Sequence, residues 1–172
     1  MPAGSTYSTI ATTTISGSST SIVEFASISG SYTDLIIVGN LGAATNSFPA
    51  ARFNSDSGAN YSVTDICGDG TSATSSRASS RNVADISYNV IGNSGVNQNF
   101  IAQIMNYSNS TTYKTMLSRV NAAAAGTTAT VCLWRSTAAI TNIKLYSATA
   151  NGSNQYNFTA GSTFTLYGIK AA

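Results

Sequence analysis

The sequence predicts an all-β fold: an antiparallel β-sandwich, jelly-roll-like, with about ten short strands and almost no helix. Three observations lead there. Apolar residues recur with a period of about two, not 3.6, along most of the chain. The periodic runs are short and separated by turns rich in Gly, Ser and Asn. The only run of strong helix formers, Ala122 to Ala125, is too short to repay helix nucleation and is stopped by Gly126, so it reads as a compact turn.

Residues 1–20 come first, including "GSTYSTIATTTISGSSTS". Their threonines favour strand, but the apolar alternation is weak. The expectation is an arm or edge strand, paired either inside its own domain or along a neighbouring subunit's sheet edge. Residues 21–172 are expected to form a single sandwich domain. Its strand candidates begin with "SIVEFA", "DLIIVG", "ARFN" and "NYSVTDI". In "ADISYNVI", Ala84, Ile86, Tyr88 and Val90 alternate with Asp85, Ser87 and Asn89, which predicts one buried and one solvent face. "NFIAQIMNY" and "TYKTMLSRV" follow. "ATVCLW" groups Ala129, Val131 and Leu133 on one face, and "TNIKLYS" groups Ile143 and Leu145. "STFTLYGI" closes the series with Phe164 and Leu166. The stretch from Gly68 to Asn82 reads as a serine-rich exposed loop carrying Arg77 and Arg81.

Composition narrows the function. The 172 residues suit one domain whose core needs no staple. Charged residues are only 8% of the chain, against roughly 25% in an ordinary soluble domain. Solubility falls to Ser, Thr and Asn, and such a surface raises little like-charge repulsion against copies of itself. A net charge of +2 without a Lys/Arg cluster argues against nucleic acid. No apolar run is long enough to span a bilayer as a helix, and no basic segment leads into an apolar core at the N-terminus. No membrane association is expected. Every acid lies at or before Asp85, while Lys114, Arg119, Arg135, Lys144 and Lys170 follow, an asymmetry suited to edge-to-edge contact between copies.

The absence of histidine removes Ser-His-Asp and Cys-His catalysis and histidine metal sites. Cys67 and Cys132 lack metal-ligand spacing, and two buried thiols are expected, with a disulfide left open. "GDGTSATSS" lacks the Lys-Ser/Thr ending of a phosphate loop. Paired carboxylates are the remaining enzymatic option. Nothing in the spacing of Asp56, Asp65, Asp69 and Asp85 selects a pair, and turn and solvent positions explain them more simply. Asn54, Asp56 and Asn60 offer oxygens to calcium, but without the acid count of an EF-hand loop. No cofactor and no metal site is expected. Arg77 and Arg81, four apart, suit a carboxylate or phosphate on a partner, or plain solvation. Nine tyrosines and one tryptophan raise a sugar-binding alternative, with Tyr7, Tyr146, Tyr156 and Tyr167 the freest to be exposed.

The segments "STYSTIATTTISG", "YTDLIIVGN", "RFNSDSGANYS", "GDGTSATSSRASS", "IMNYSNSTTYKTMLSR", "LWRSTAAITNIKLYS" and "FTAGSTFTLYGIKAA" taken together resemble a family of small virion structural proteins of tailed bacteriophages. The resemblance runs over nearly the whole chain, and each segment alone is of low specificity. It implies a non-enzymatic β-sandwich made in the bacterial host cytoplasm and incorporated in the virion. The implied role is that of a capsid decoration or cement protein that binds the major capsid protein and itself, as a homo-oligomer such as a trimer. The alternative is a tail- or fibre-associated module that binds a host-surface glycan. The resemblance carries over no catalytic residue, and Ile66-Cys67 before "GDG" departs from the family's aromatic-containing pattern. On this reading the candidate partner contacts are Tyr7 and Ile10 in the arm, and Arg77 and Arg81 in the loop.

Overall fold

The period-two segments fold into antiparallel strands in a computed structural model, which describes residues 6–17, 20–42, 46–89, 96–122, 125–149, 152 and 154–170. In chain order the strands are β1 (Tyr7–Thr14), β2 (Ile22–Phe25), β3 (Asp34–Leu41), β4 (Phe48–Phe53), β5 (Tyr61–Gly68), β6 (Ala73–Arg81) and β7 (Ala84–Asp85). They continue as β8 (Gln98–Met105), β9 (Lys114–Ala122), β10 (Gly126–Trp134), β11 (Ile143–Thr149), β12 (Asn154–Tyr156) and β13 (Thr163–Ile169). No α-helix occurs among the described residues.

An eight-stranded sheet runs β1-β13-β3-β8-β9-β10-β5-β6, and a five-stranded sheet runs β12-β11-β4-β7, with β2 beside β12 on the same edge of β11. The quartets β1-β13-β3-β8 and β2-β11-β4-β7 are those of a jelly roll. Leaving the inserted strands aside, the frame crosses between sheets at each step from β1 to β4, has β4 and β7 both in the small sheet, then crosses again through β8, β11 and β13. Two hairpins are inserted into this frame. β5–β6 lies between β4 and β7, β9–β10 lies between β8 and β11, and both extend the large sheet beyond β8.

The core forms between the two sheets. Leu35, Ile37 and Leu41 of β3, Phe100, Ala102 and Ile104 of β8, and Phe164 and Leu166 of β13 are buried in one cluster with Val23, Phe25, Phe53, Ile143 and Leu145 of the small sheet. Each of the larger side chains contributes about 1.5–3 kcal/mol through burial. Gly39 stands opposite Phe100 in the ladder, and a methyl at Gly39 would overlap the Phe100 ring. The missing side chain gives that ring its place. In the β9–β10 turn Gly126 has φ +127°, and a Cβ there would collide with the Gly68 carbonyl oxygen.

Beyond β8 the small sheet ends, because β7 is only two residues long. The segment from Ile86 to Asn89 covers part of the inner side of β10 and β5, where the buried layer turns polar, while Phe53 of β4 still packs on Tyr61 and Trp134 beside it. Asn89 donates to Asp65 Oδ1 at 2.7 Å and Thr128 Oγ1 to Asp65 Oδ2 at 2.6 Å. Ser118 Oγ donates to the Ile86 carbonyl at 2.6 Å. Arg81 forms a bidentate pair with the fully buried Asp85, both contacts at 2.8 Å.

Three expectations are corrected by this arrangement. The serine-rich stretch expected as a loop is largely strand β6, with the turn after Gly68, an irregularity at Ser79 and Ser80, and Asn82 outside the ladder. Asp65 and Asp85, expected on solvent faces, are buried. Tyr146, expected exposed, is also buried. In β10, Ala129, Val131 and Leu133 share one face as expected, and it is the outer one, with Thr128, Thr130, Cys132 and Trp134 inward. Asp65 and Asp85 share a cause: beside Tyr61, Met116 and Trp134 the inserted hairpins also carry polar groups inward, and β7 with the segment after it covers and bonds them. At the N-terminus, β1 pairs with β13 of its own domain through a ladder broken by a bulge between Thr9 and Ala11.

Candidate functional site

The outer face of the large sheet carries apolar residues that the sandwich does not cover. The ladder register aligns them in rows. One row runs from Val38 through Ile101, Arg119 and Ala129 to Ile66. The next runs from Tyr167 through Ile36, Gln103, Leu117 and Val131 to Thr64. A third contains Met105, Thr115, Leu133 and Ser62. Val38, Ile66, Ile101, Met105, Leu117 and Val131 are between 38% and 64% exposed, an unusual amount for so many large apolar side chains on adjoining strands.

This face is nearly free of charge. Across its strands only Asp34 at the start of β3, Arg119 in β9 and Arg77 at the far edge face outward. Asp34 accepts hydrogen bonds from Gln103 Nε2 at 3.0 Å and from the Asn106 amide at 2.8 Å. The Arg119 side chain has no hydrogen-bond or ion-pair partner among the described residues. Beside Arg119 a shallow groove of about 480 Å³ is floored by Val38 and Ile101 and edged by Asn40, Asn99 and Asn121, which stand opposite one another on three neighbouring strands.

The four contacts expected from sequence do not form one site. Tyr7 is exposed at the edge of the large sheet, its ring edge-on to Tyr167 with centroids 6.4 Å apart. Ile10 sits at the β1 bulge and packs, half-buried, against the core. Arg77 is exposed on β6, where it lines a polar groove of about 530 Å³ with Arg135. Arg81 is turned inward to Asp85 and stacks over the Tyr88 ring at 5.1 Å, so it is a structural residue, not a surface contact.

The acids separate in the same way. Asp56 organises the β4–β5 connection: it accepts from the Gly58 amide at 2.8 Å, from Asn60 Nδ2 at 2.9 Å and from Trp134 Nε1 at 2.7 Å. Burial pushes its carboxyl up, but these donors outweigh burial and hold it below the usual carboxylate range. Asn54 does not share a cage with it, because its side chain is bonded to Ala139, Thr141 and Asn142. Asp69 caps the β5–β6 turn by accepting from the Thr71 and Ser72 amides, which lower its pKa. Burial raises the Asp85 carboxyl, and Arg81 offsets that rise only in part. Among the described residues no three His, Cys, Asp or Glu side chains gather as metal ligands. Cys132 is buried, and burial raises its thiol pKa; Cys67, expected buried, is half-exposed, and both are free thiols.

Lys114 was not singled out by sequence, yet it is almost fully buried, donating from Nζ to the carbonyls of Thr112 at 2.7 Å and Thr137 at 3.1 Å. It ties the β8–β9 and β10–β11 connections together. The exposed face had a readable signal in the apolar runs "LIIV", "FIAQIM" and "VCLW". Strands apolar on both sides are ordinarily strands covered on both sides.

No protein-family model matches the chain, and no curated protein compared with it matches.

Proposed function

We propose that this chain is a non-enzymatic structural protein of a bacteriophage virion, acting as a capsid decoration or cement protein that binds the assembled head and stabilises it. One observation carries the reading: a wide, almost uncharged outer sheet face with large apolar side chains left exposed. Such a face is costly for a protein that acts alone and is ordinary for one that ends its folding in an assembly. Jelly rolls recur in viral capsid and lectin domains, which supports the reading at the level of fold. The partners are the major capsid protein and further copies of the chain. A partner that binds only the closed shell stabilises that shell by mass action, with many weak contacts summing over the particle. Exposed Arg77, beside Arg135 in their polar groove, offers a place for an acidic segment of the shell.

The test is to tag the protein, purify particles, locate the tag by electron microscopy and count copies per particle. Hundreds of copies over the head, with heads that open at lower temperature once stripped of the protein, are the expected result. A few copies confined to the tail would overturn the decoration role and favour the tail or fibre module, with host-surface glycans as its ligand.

A further inference from the structure

Deepening the assembly reading above, we infer that the outer face of the large sheet docks against the same face of a second copy, with Arg119 of each chain paired to Asp34 of the other. The register supplies the argument. Gln103 of β8 stands opposite Ile36 of β3 and Leu117 of β9. Asp34 lies two residues along β3 from Ile36, and Arg119 lies two residues along β9 from Leu117, in opposite directions across the sheet. The acid and the cation are therefore placed symmetrically about Gln103, each one strand and two residues away.

A two-fold axis lying in the interface, passing over Gln103 and perpendicular to the line from Arg119 to Asp34, exchanges the two positions. A single rotation forms both ion pairs, as a self-complementary interface requires. With ordinary strand spacing of about 4.8 Å and rise of about 3.3 Å per residue, the same rotation sets Ile101 over the partner's Ile36 and Leu117 over the partner's Met105. It also brings Val38 near the partner's Tyr167. The apolar residues that surround Gln103 on one copy thus meet apolar residues on the other, and the two charges flank them.

Area and charge agree with this occupant. Strands of about eight residues are about 26 Å long, and since this rotation crosses the two sets of strands at about 70°, the faces overlap over roughly 700 Å², near the roughly 800 Å² per partner of a stable interface. Arg119 has no partner within its own chain among the described residues, and Asp34 uses only two of its acceptor positions. Two sheets packed in this way bury on both sides the strands whose sequences are apolar on both sides.

The experiment is sedimentation equilibrium of the full chain over a range of concentrations, with Arg119→Asp, Leu117→Arg and the exchange Arg119→Asp/Asp34→Arg. The expected result is a dimer that Arg119→Asp weakens about tenfold, because two attractive pairs become repulsive. Leu117→Arg should abolish it, and the exchange variant should recover most of the loss. Circular dichroism melts confirm that each variant is folded. Arg119→Asp is the secure one, since it breaks no hydrogen bond or ion pair among the described residues. A monomer at high concentration, or a dimer indifferent to both Arg119→Asp and Leu117→Arg, overturns the pairing. A monomer that decorates heads keeps the virion role and assigns the face to the shell. A dimer absent from particles keeps the pairing and removes the virion role.

Discussion

The large sheet is buried in two different ways along its width, and the contrast explains much of the sequence. From β1 to β8 its inner face meets the small sheet, and the inward residues are Leu35, Ile37, Phe100, Ile104, Phe164 and Leu166. From β9 to β6 its inner face is mixed: Tyr61, Met116, Val120, Cys132 and Trp134 belong to the same core, with Phe53 of β4 against Tyr61 and Trp134, while Ser118, Thr128, Thr130 and Asp65 lie under β7 and the segment from Ile86 to Asn89. Opposing strands have no spare polar groups to offer because their ladders consume them. A crossing segment presents free carbonyls and side chains, so hydroxyls and carboxylates can be buried against it with their bonds made. One half is held by close packing alone and the other by close packing joined to a satisfied polar network.

The largest expected effect comes from the network. Arg81→Met leaves the buried Asp85 carboxylate without its bidentate partner and should cost about 3–5 kcal/mol in urea unfolding. The double variant Arg81→Met/Asp85→Leu should lose clearly less, since no uncompensated charge remains. A double variant as unstable as the single one would mean that the pair, not the removal of an orphan charge, holds this region. In the packed half, Gly39→Ala should cost about 1–3 kcal/mol by displacing Phe100. An unchanged melt would show that the ring has room to move and would weaken the claim of close packing there. Thr128→Val deprives Asp65 of its 2.6 Å donor and should cost roughly 1–2 kcal/mol, with a comparable loss for Asn89→Ala. Losses that add fully in the double variant would argue against a coupled network.

The same contrast marks where the sequence could be read. The β-sandwich, and the strands β3, β8, β11 and β13, follow from alternation, because their inner faces meet another sheet and must be apolar. Alternation misleads where the cover is a segment of chain: among the described residues of "ADISYNVI" only Ala84–Asp85 are strand, Val90 lies outside the described residues, and Asp85, Ile86 and Ser87 are all buried despite their alternating character. The strand β6 was hidden because "ATSSRASSR" is exposed on both faces and carries no apolar signal. For the candidate site, Tyr7 and Arg77 were legible as exposed groups, whereas the inward turn of Arg81 depends on a neighbour that only the fold supplies. The outer face was visible as doubly apolar runs, but its register, and with it the placement of Arg119 and Asp34 about Gln103, is a property of paired strands.

The smallest expected effect concerns Asp56, which lies outside both regimes in the β4–β5 connection and joins it to Trp134. Its folded pKa is depressed, because donors from Trp134, Asn60 and Gly58 outweigh the upward push of burial. A depressed carboxyl contributes stability that is complete above its unfolded value, near 3.8, and lost as pH falls through the lower folded value. Asp56→Asn keeps the size of the side chain and removes the charge, so at pH 7 it should cost roughly 1 kcal/mol, the worth of charged hydrogen bonds reduced for a site open to solvent. Below the folded pKa the native carboxyl is itself protonated, and the difference between the two proteins should close. Asp85 has the opposite sign, since its raised pKa makes the folded state bind a proton first, so its contribution is lost as pH rises from about 3.8. It is common to both proteins and cancels from their difference. Urea unfolding of the pair between pH 2 and pH 7 therefore isolates Asp56. A gap that stays constant down to pH 2 would mean that Trp134 and Asn60 hold the turn without regard to its charge.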